Sequence, residues 1–246
     1  MPGLDWLTAR PIAHRGLHDA AAGVIENTAS AFSAAIAGGY AMETDLQISA
    51  DGEAVVYHDD ALGRLTEGST RLAAMTTAEI KAVRFRATSD RIMTLGELCD
   101  LVAGRAALVI ELKSHFDGDR RLCERAAQVL AGYAGPAALM SFDPDQVSAI
   151  REIAPARARG IVAERRYDAW KNLAPAQQRR LACFLHVNRS RPHFVAYRVN
   201  NLPAAPPLIA RKLFGLPVLA WTVRSEADRR RARRWADQII FEGLRP

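Results

Sequence analysis

Lysine is scarce in this chain: of 33 basic residues, only Lys81, Lys113, Lys171 and Lys212 are lysines, and the rest are arginine. The formal net charge of +6 would suit a nucleic-acid binder. The arginines, however, are spread from Arg10 to Arg245, so no nucleic-acid partner is expected. Their one dense run, Arg229-Arg230-Arg231-Ala232-Arg233-Arg234, reads as the solvated face of a late helix, with weak attraction to an anionic membrane surface as the remainder. Cysteine is scarce too. Cys99, Cys123 and Cys183 are far apart and embedded in apolar runs, which excludes a disulfide framework or a thiolate metal site and suggests buried thiols in a reducing compartment. No apolar run approaches the ~20 residues a membrane span needs. The first residues, Met1-Pro2-Gly3-Leu4-Asp5-Trp6, offer neither a basic nor an apolar leader segment, so a cytoplasmic protein is expected. Internal repeats, low-complexity tracts, an interdomain linker and a glycine-rich phosphate loop after the first strand are all missing.

What is present is a long alternation of apolar strands and capped helices. The length of 246 residues, with 49% hydrophobic residues, suits one α/β domain of barrel size. Strands are expected at Pro11–His14, at 40–48, and at Ala54–Tyr57 after the Asp51-Gly52 turn. Further strands follow at 107–113, 137–142, 158–163, 183–187, 217–221 and 238–241, with 194–197 as a local extension. Helices intervene, for example from the Thr94 cap to Val102 and behind Asp143-Pro144. A turn-rich stretch, approximately 60–91, interrupts the alternation and reads as a small insertion after the second strand. Roughly eight strand–helix units point to a single TIM (β/α)8 barrel over 1–246; a doubly wound open sheet is the alternative.

The chemistry gathers at strand ends. Glu43 and Asp45 are two apart, so on a strand they share one face, ~7 Å apart along the backbone. Glu111 and Lys113 have the same parity. Three converging carboxylates repel unless a cation joins them, and an all-oxygen set favours Mg²⁺ or Ca²⁺. Lys113 beside them, and Arg15 after the first strand, suit a phosphate. His14 and His58 each follow an apolar strand and suit acid–base work near neutrality, where the unperturbed imidazole pKa is ~6.5. Trp221 reads either as core or as a surface for a substrate alcohol. Glu26-Asn27 either cap a helix or reach the site, Asp59 reads as a turn or supporting residue, and His115 is an even choice between contact and bystander. His18 reads as an exposed loop histidine, and His186 and His193 show no functional pattern.

These residues, in this order, resemble the glycerophosphodiester phosphodiesterase family: His14-Arg15-Gly16, Glu26-Asn27-Thr28, Glu43-x-Asp45, Asp51-Gly52, His58-Asp59, Leu62-x-Arg64-x-Thr66-x-Gly68, Glu111-Leu112-Lys113, Ser141-Phe142 and Trp221-Thr222-Val223. The resemblance implies a TIM barrel, a Ca²⁺ or Mg²⁺ ion on Glu43, Asp45 and Glu111, and phosphate contacts from Arg15 and Lys113. It implies that His14 and His58 are the acid–base pair, cleaving a glycerophosphodiester to sn-glycerol 3-phosphate and an alcohol through a cyclic phosphate or by direct attack of water. Three positions depart from the family pattern: Ile25 stands for a proline, Arg224 for an asparagine, and Asp237–Glu242 lack an Asp-Gly and a terminal Thr-Asp. None touches the acids or histidines; those on the last two strands bear on the choice of alcohol. A phospholipase D-like hydrolase of lysolipids and a non-catalytic phosphate- or nucleic-acid-binding barrel stand as the other readings.

Overall fold

The structure is a computed structural model and describes residues 3–167, 170 and 172–246. In chain order the helices and strands are α1 (Asp5–Ala9), β1 (Ile12–Ala13), α2 (Ala29–Ala37), β2 (Ala41–Ile48), β3 (Ala54–Val56), α3 (Thr77–Ala82), α4 (Leu95–Val102), β4 (Leu108–Leu112), α5 (Arg121–Ala131), β5 (Ala137–Ser141), α6 (Pro144–Ile153), β6 (Ala158–Ala163), α7 (Pro175–Ala182), α8 (Val187–Ser190), β7 (Phe194–Arg198), α9 (Ala205–Phe214), β8 (Val218–Val223), α10 (Glu226–Trp235) and β9 (Gln238–Phe241). The hydrogen-bonded strand order is β1-β9-β8-β7-β6-β5-β4-β2-β3, and β1 also pairs with β2. Neighbours follow chain order without the reversal of a doubly wound sheet. The fold is the TIM (β/α)8 barrel, with β3 left over as an antiparallel hairpin partner of β2.

Helix starts are chemically specified. Thr76 with Glu79, and Thr94 with Glu97, form capping boxes at α3 and α4, Thr28 caps α2, and Asp143 caps α6 with Pro144 in its first turn. The strands are apolar because both faces are covered: every residue of β4 and β5 is buried.

The chain divides into two compact units. One comprises Ala13–Lys113 and Asp119–Ala137; here β2 runs parallel to β4, with Asp45 opposite Glu111 and Leu46 opposite Leu112. On its other side β2 pairs with β3, Leu46 opposite Val56. The expected insertion hangs from this hairpin and has its own core of Tyr57, Leu62, Leu72, Ile80, Phe85 and Ile92, joined by Ile25 and Val55.

The second unit holds the residues up to Ile12, Ser114–Gly118 and Ala138–Pro246. Its strands β6 to β9 are parallel in sequence order. Two expectations are corrected here. The apolar run Cys183–Val187 is not a strand: α7 ends just before it and α8 begins at Val187, with Leu185 left 63% exposed. The strand of that repeat is instead β7, read from the sequence as an extension. Residues 194–197 of β7 are all buried, so its apolar run satisfies a parallel strand where 183–187 does not. Gly160 of β6 accommodates β7: a Cβ there would lie 2.3 Å from the ring of Phe194.

Candidate active site

The first unit gathers His14, Arg15, Glu43, Asp45, His58, Glu111 and Lys113. His14 leaves β1, and Gly16 two residues later turns the chain back with φ +80°, where a Cβ would lie 2.9 Å from Ala31. That turn sets Arg15 in a left-handed conformation, φ 57°, a costly one for a non-glycine residue. It is held on both sides: its N–H donates to Glu43 Oε2 at 3.1 Å, and its carbonyl accepts from the N–H of Asn27 at 2.9 Å. Nε2 of His14 lies 3.9 Å from the same Glu43 oxygen.

Alternation along β2 places Glu43, Asp45 and Gln47 on one face. The parallel register sets Glu111 beside Asp45, and Glu43, Asp45 and Glu111 each offer one oxygen within 4.8 Å of the others. All three are buried, at 1%, 1% and 8% exposure. Lys113 Nζ sits 2.7 Å from Asp45 Oδ1 and 2.7 Å from Glu111 Oε1. Arg15 contributes Nε at 3.1 Å from Asp45 Oδ2 and donates from Nη1 to Glu26 Oε1 at 2.7 Å. Asn27 donates from Nδ2 to Asp45 Oδ2 at 2.9 Å and accepts from Thr44 Oγ1 at 2.9 Å.

The β2–β3 hairpin folds back so that the N–H of Tyr57 donates to the carbonyl of Asp45, at 3.1 Å, bringing His58 alongside the acids. Gln47 Nε2 donates to the His58 carbonyl at 3.0 Å. The ring is tied through Nδ1 to Asp59 Oδ1 at 2.8 Å, leaving Nε2 as its outward nitrogen.

The charges do not balance evenly. Burial pushes the Glu43 carboxyl well above its ordinary range, and the neighbouring charges of Asp45 and Glu111 push it further, against Arg15 and Lys113. Burial would raise Asp45 too, but Lys113 and Arg15, with His58 and His14, overcome it and hold Asp45 well below the usual carboxylate range. Burial disfavours the Lys113 ammonium, yet Asp45 and Glu111 raise its pKa overall. Three buried carboxylates that converge as an all-oxygen donor set, one of them driven toward neutrality by burial and by its neighbours' charge, fit a hard divalent cation.

A profile of the glycerophosphoryl diester phosphodiesterase family matches residues 14–241. The chain belongs to this family. It is similar to the glycerophosphodiester phosphodiesterase of Caldanaerobacter subterraneus subsp. tengcongensis, 38% identical over 111 residues, which are 42% of this chain and 44% of that relative. The chain thus spans less than half the length of that relative in the match. With YhdW of Bacillus subtilis the identity is 26% over 224 residues, 87% of this chain and 86% of the relative. Among solved structures, an Oleispira antarctica phosphodiesterase in complex with the product sn-glycerol-3-phosphate matches in fold, with TM-score 0.77 and 22% identity over 96% of this chain and 94% of that one.

In this glycerophosphoryl diester phosphodiesterase family member the remaining candidates lie elsewhere. Trp221, on β8 of the second unit, is half-buried; its Nε1 donates to the Ala196 carbonyl at 3.1 Å and its ring packs T-shaped on Phe142 at 5.5 Å. Apart from those candidates, Glu164 just past β6 is buried and satisfied by Arg198 Nη1 at 2.7 Å and Trp170 Nε1 at 3.2 Å. His115 is exposed, also in the second unit. His18 is half-buried rather than exposed, with Nε2 enclosed and unbonded. Sequence reasoning left Asn27 and Glu26 undecided, and Thr28 does the capping while both of them join the acids and cations. Arg64 appeared only as a motif position; its contacts are 38 and 5 residues away along the chain, a pairing that no local pattern reveals.

Proposed function

We propose that the chain hydrolyses glycerophosphodiesters to sn-glycerol 3-phosphate and an alcohol with a divalent cation, Mg²⁺ or Ca²⁺. The observation that carries this reading is the single buried group of Glu43, Asp45 and Glu111 with Lys113, Arg15 and two histidines around it. Glu43, Asp45 and Glu111 are the residues that would hold the ion. A bound divalent cation supplies a Lewis acid for the phosphoryl oxygens and neutralises charge developing on them.

The chain's own groups do the rest. Arg15 offers a fixed guanidinium and Lys113 an ammonium to the phosphate, both held by carboxylates in advance of binding. His58, with Nδ1 on Asp59, moves a proton at Nε2; His14 moves one at the nitrogen facing Glu43. One imidazole takes the proton of the attacking oxygen and the other protonates the departing alkoxide, a division of labour worth ~10²–10⁴-fold. The attacking oxygen is the glycerol 2-hydroxyl, through a cyclic phosphate, or water. A diester lacking that hydroxyl separates the two, because only direct attack turns it over. Trp221 is proposed as an apolar wall for the alcohol.

The test is product analysis on a panel of glycerophosphodiesters and a lysophospholipid, with each metal and with chelator. Release of sn-glycerol 3-phosphate that EDTA abolishes is expected. Full turnover in EDTA defeats the metal assignment, and cleavage of the lysophospholipid alone defeats the substrate assignment.

A further inference from the structure

The run Leu62-x-Arg64-x-Thr66-x-Gly68 has a physical construction that aims one side chain. Leu62 is buried in the insertion core, and its N–H donates to the Thr70 carbonyl at 3.0 Å. Thr66 is fully buried; its hydroxyl accepts from the Gly63 N–H at 3.3 Å and meets the Tyr57 hydroxyl at 3.3 Å. Gly63 and Gly68 carry φ of +124° and +85°, which let the loop close on itself. Arg64 is the residue this loop presents outward.

Its guanidinium makes a fork on Glu26, Nη2 to Oε1 at 2.7 Å and Nη1 to Oε2 at 3.2 Å, and Nε donates to Asp59 Oδ2 at 2.7 Å. Glu26 is the carboxylate on Arg15, and Asp59 is the carboxylate on His58. The order is therefore His58–Asp59–Arg64–Glu26–Arg15, with the insertion supplying the middle. Without Arg64, Asp59 keeps its contact with His58, and two carboxylates that support the site lose the cation between them.

We infer that Arg64 is a positioning residue that fixes His58 relative to Arg15, so that the insertion sets the distance between the proton-transfer group and the phosphate. This rests on the phosphodiesterase reading above. Arg15 keeps Glu26 and Asp45 when Arg64 is lost, so phosphate binding persists; what is lost is the orientation of the His58 ring.

The experiment compares wild type with Arg64→Gln, Arg64→Lys, Asp59→Asn and the double variant Arg64→Gln/Asp59→Asn. Arg64→Gln is expected to lower kcat by roughly 10–100-fold, the usual effect of losing an outer partner of a functional side chain. KM, and the affinity for sn-glycerol 3-phosphate by calorimetry, should stay within about threefold. Arg64→Lys should not restore kcat, because an ammonium lacks the planar fork that spans two carboxylates. The double variant should be little slower than Asp59→Asn alone, since both act through one ring. Full rescue by lysine, losses that multiply in the double variant, or an unchanged kcat overturns the inference. The ring proton on His58 Nδ1 gives a readout without turnover: its downfield, exchange-protected resonance in wild type should lose protection in Arg64→Gln. A wild type that cleaves no diester sinks the phosphodiesterase reading while this resonance still decides the bridge, and an unaltered resonance counts against it. Arg64 is half exposed, so the variants are expected to fold, and Asp59→Asn tests the same bridge from its other end.

Discussion

Glu43 is the residue on which folding and chemistry make opposite demands. Its carboxyl is buried against two other acids, which raises its folded pKa above the unfolded value. Between those two values the folded state binds the extra proton, so this group's contribution to stability falls as pH rises, in the protein without metal. Glu43→Gln removes that cost but also removes a proposed metal ligand. At pH 7 in chelator its thermal midpoint should therefore exceed that of wild type; a gain of roughly 1 kcal/mol would be about 2–4 °C in a chain this long. Turnover should be lost at the same time. A lower midpoint in chelator would show that Glu43 is stabilising where it stands, as a partner for the Arg15 N–H and His14. Arg15 adds its own cost through its left-handed backbone, and the two bonds to its peptide groups are what keep it there.

Between elements, β6 packs closely on β7. Gly160→Ala would put a Cβ 2.3 Å from the Phe194 ring, which must then shift. A cost of about 1–3 kcal/mol is expected from such overpacking, read as a lower urea midpoint, and Phe194→Leu in the same chain should recover part of it. An unchanged midpoint for Gly160→Ala would show that the ring moves freely. The acids were legible in the sequence because parity along a strand is a local rule: Glu43 with Asp45 and Glu111 with Lys113 needed only the strands to exist. His14, Arg15 and His58 were legible from apolar runs that end at a polar group. The route by which His58 arrives was less so, since it depends on β3 returning antiparallel to β2 rather than on a barrel strand. Position 183–187 misled because a short apolar run has no period of its own, and only burial separates it from β7. Arg64 was beyond the sequence, and Asn27 undecided between cap and site, for a different reason: their meaning lies in partners far along the chain.

Across the whole molecule the pH dependence of stability should carry a signature of the second unit. Burial pushes His186 down to about 4, with Arg180 adding to it, and His193 down to about 4, with Arg159 adding to it. The unfolded imidazole has pKa ~6.5, so the unfolded chain binds the extra protons first. The stabilisation is complete above pH ~6.5 and is lost as pH falls toward 4, with His186, the more buried of the two, contributing up to about 3 kcal/mol. Urea midpoints at pH 7 and pH 5 should differ in that sense, and His186→Gln should shrink the difference; equal midpoints for wild type would refute it. No helix among the described residues is long and apolar enough to cross a membrane. The groups proposed for catalysis, Trp221 apart, run from His14 to Lys113 in a chain of 246 residues. The acids, imidazoles and cations of that proposal thus all fall in the earlier half of these 246 residues, and mutational drift confined to the later half leaves that inventory of charges untouched.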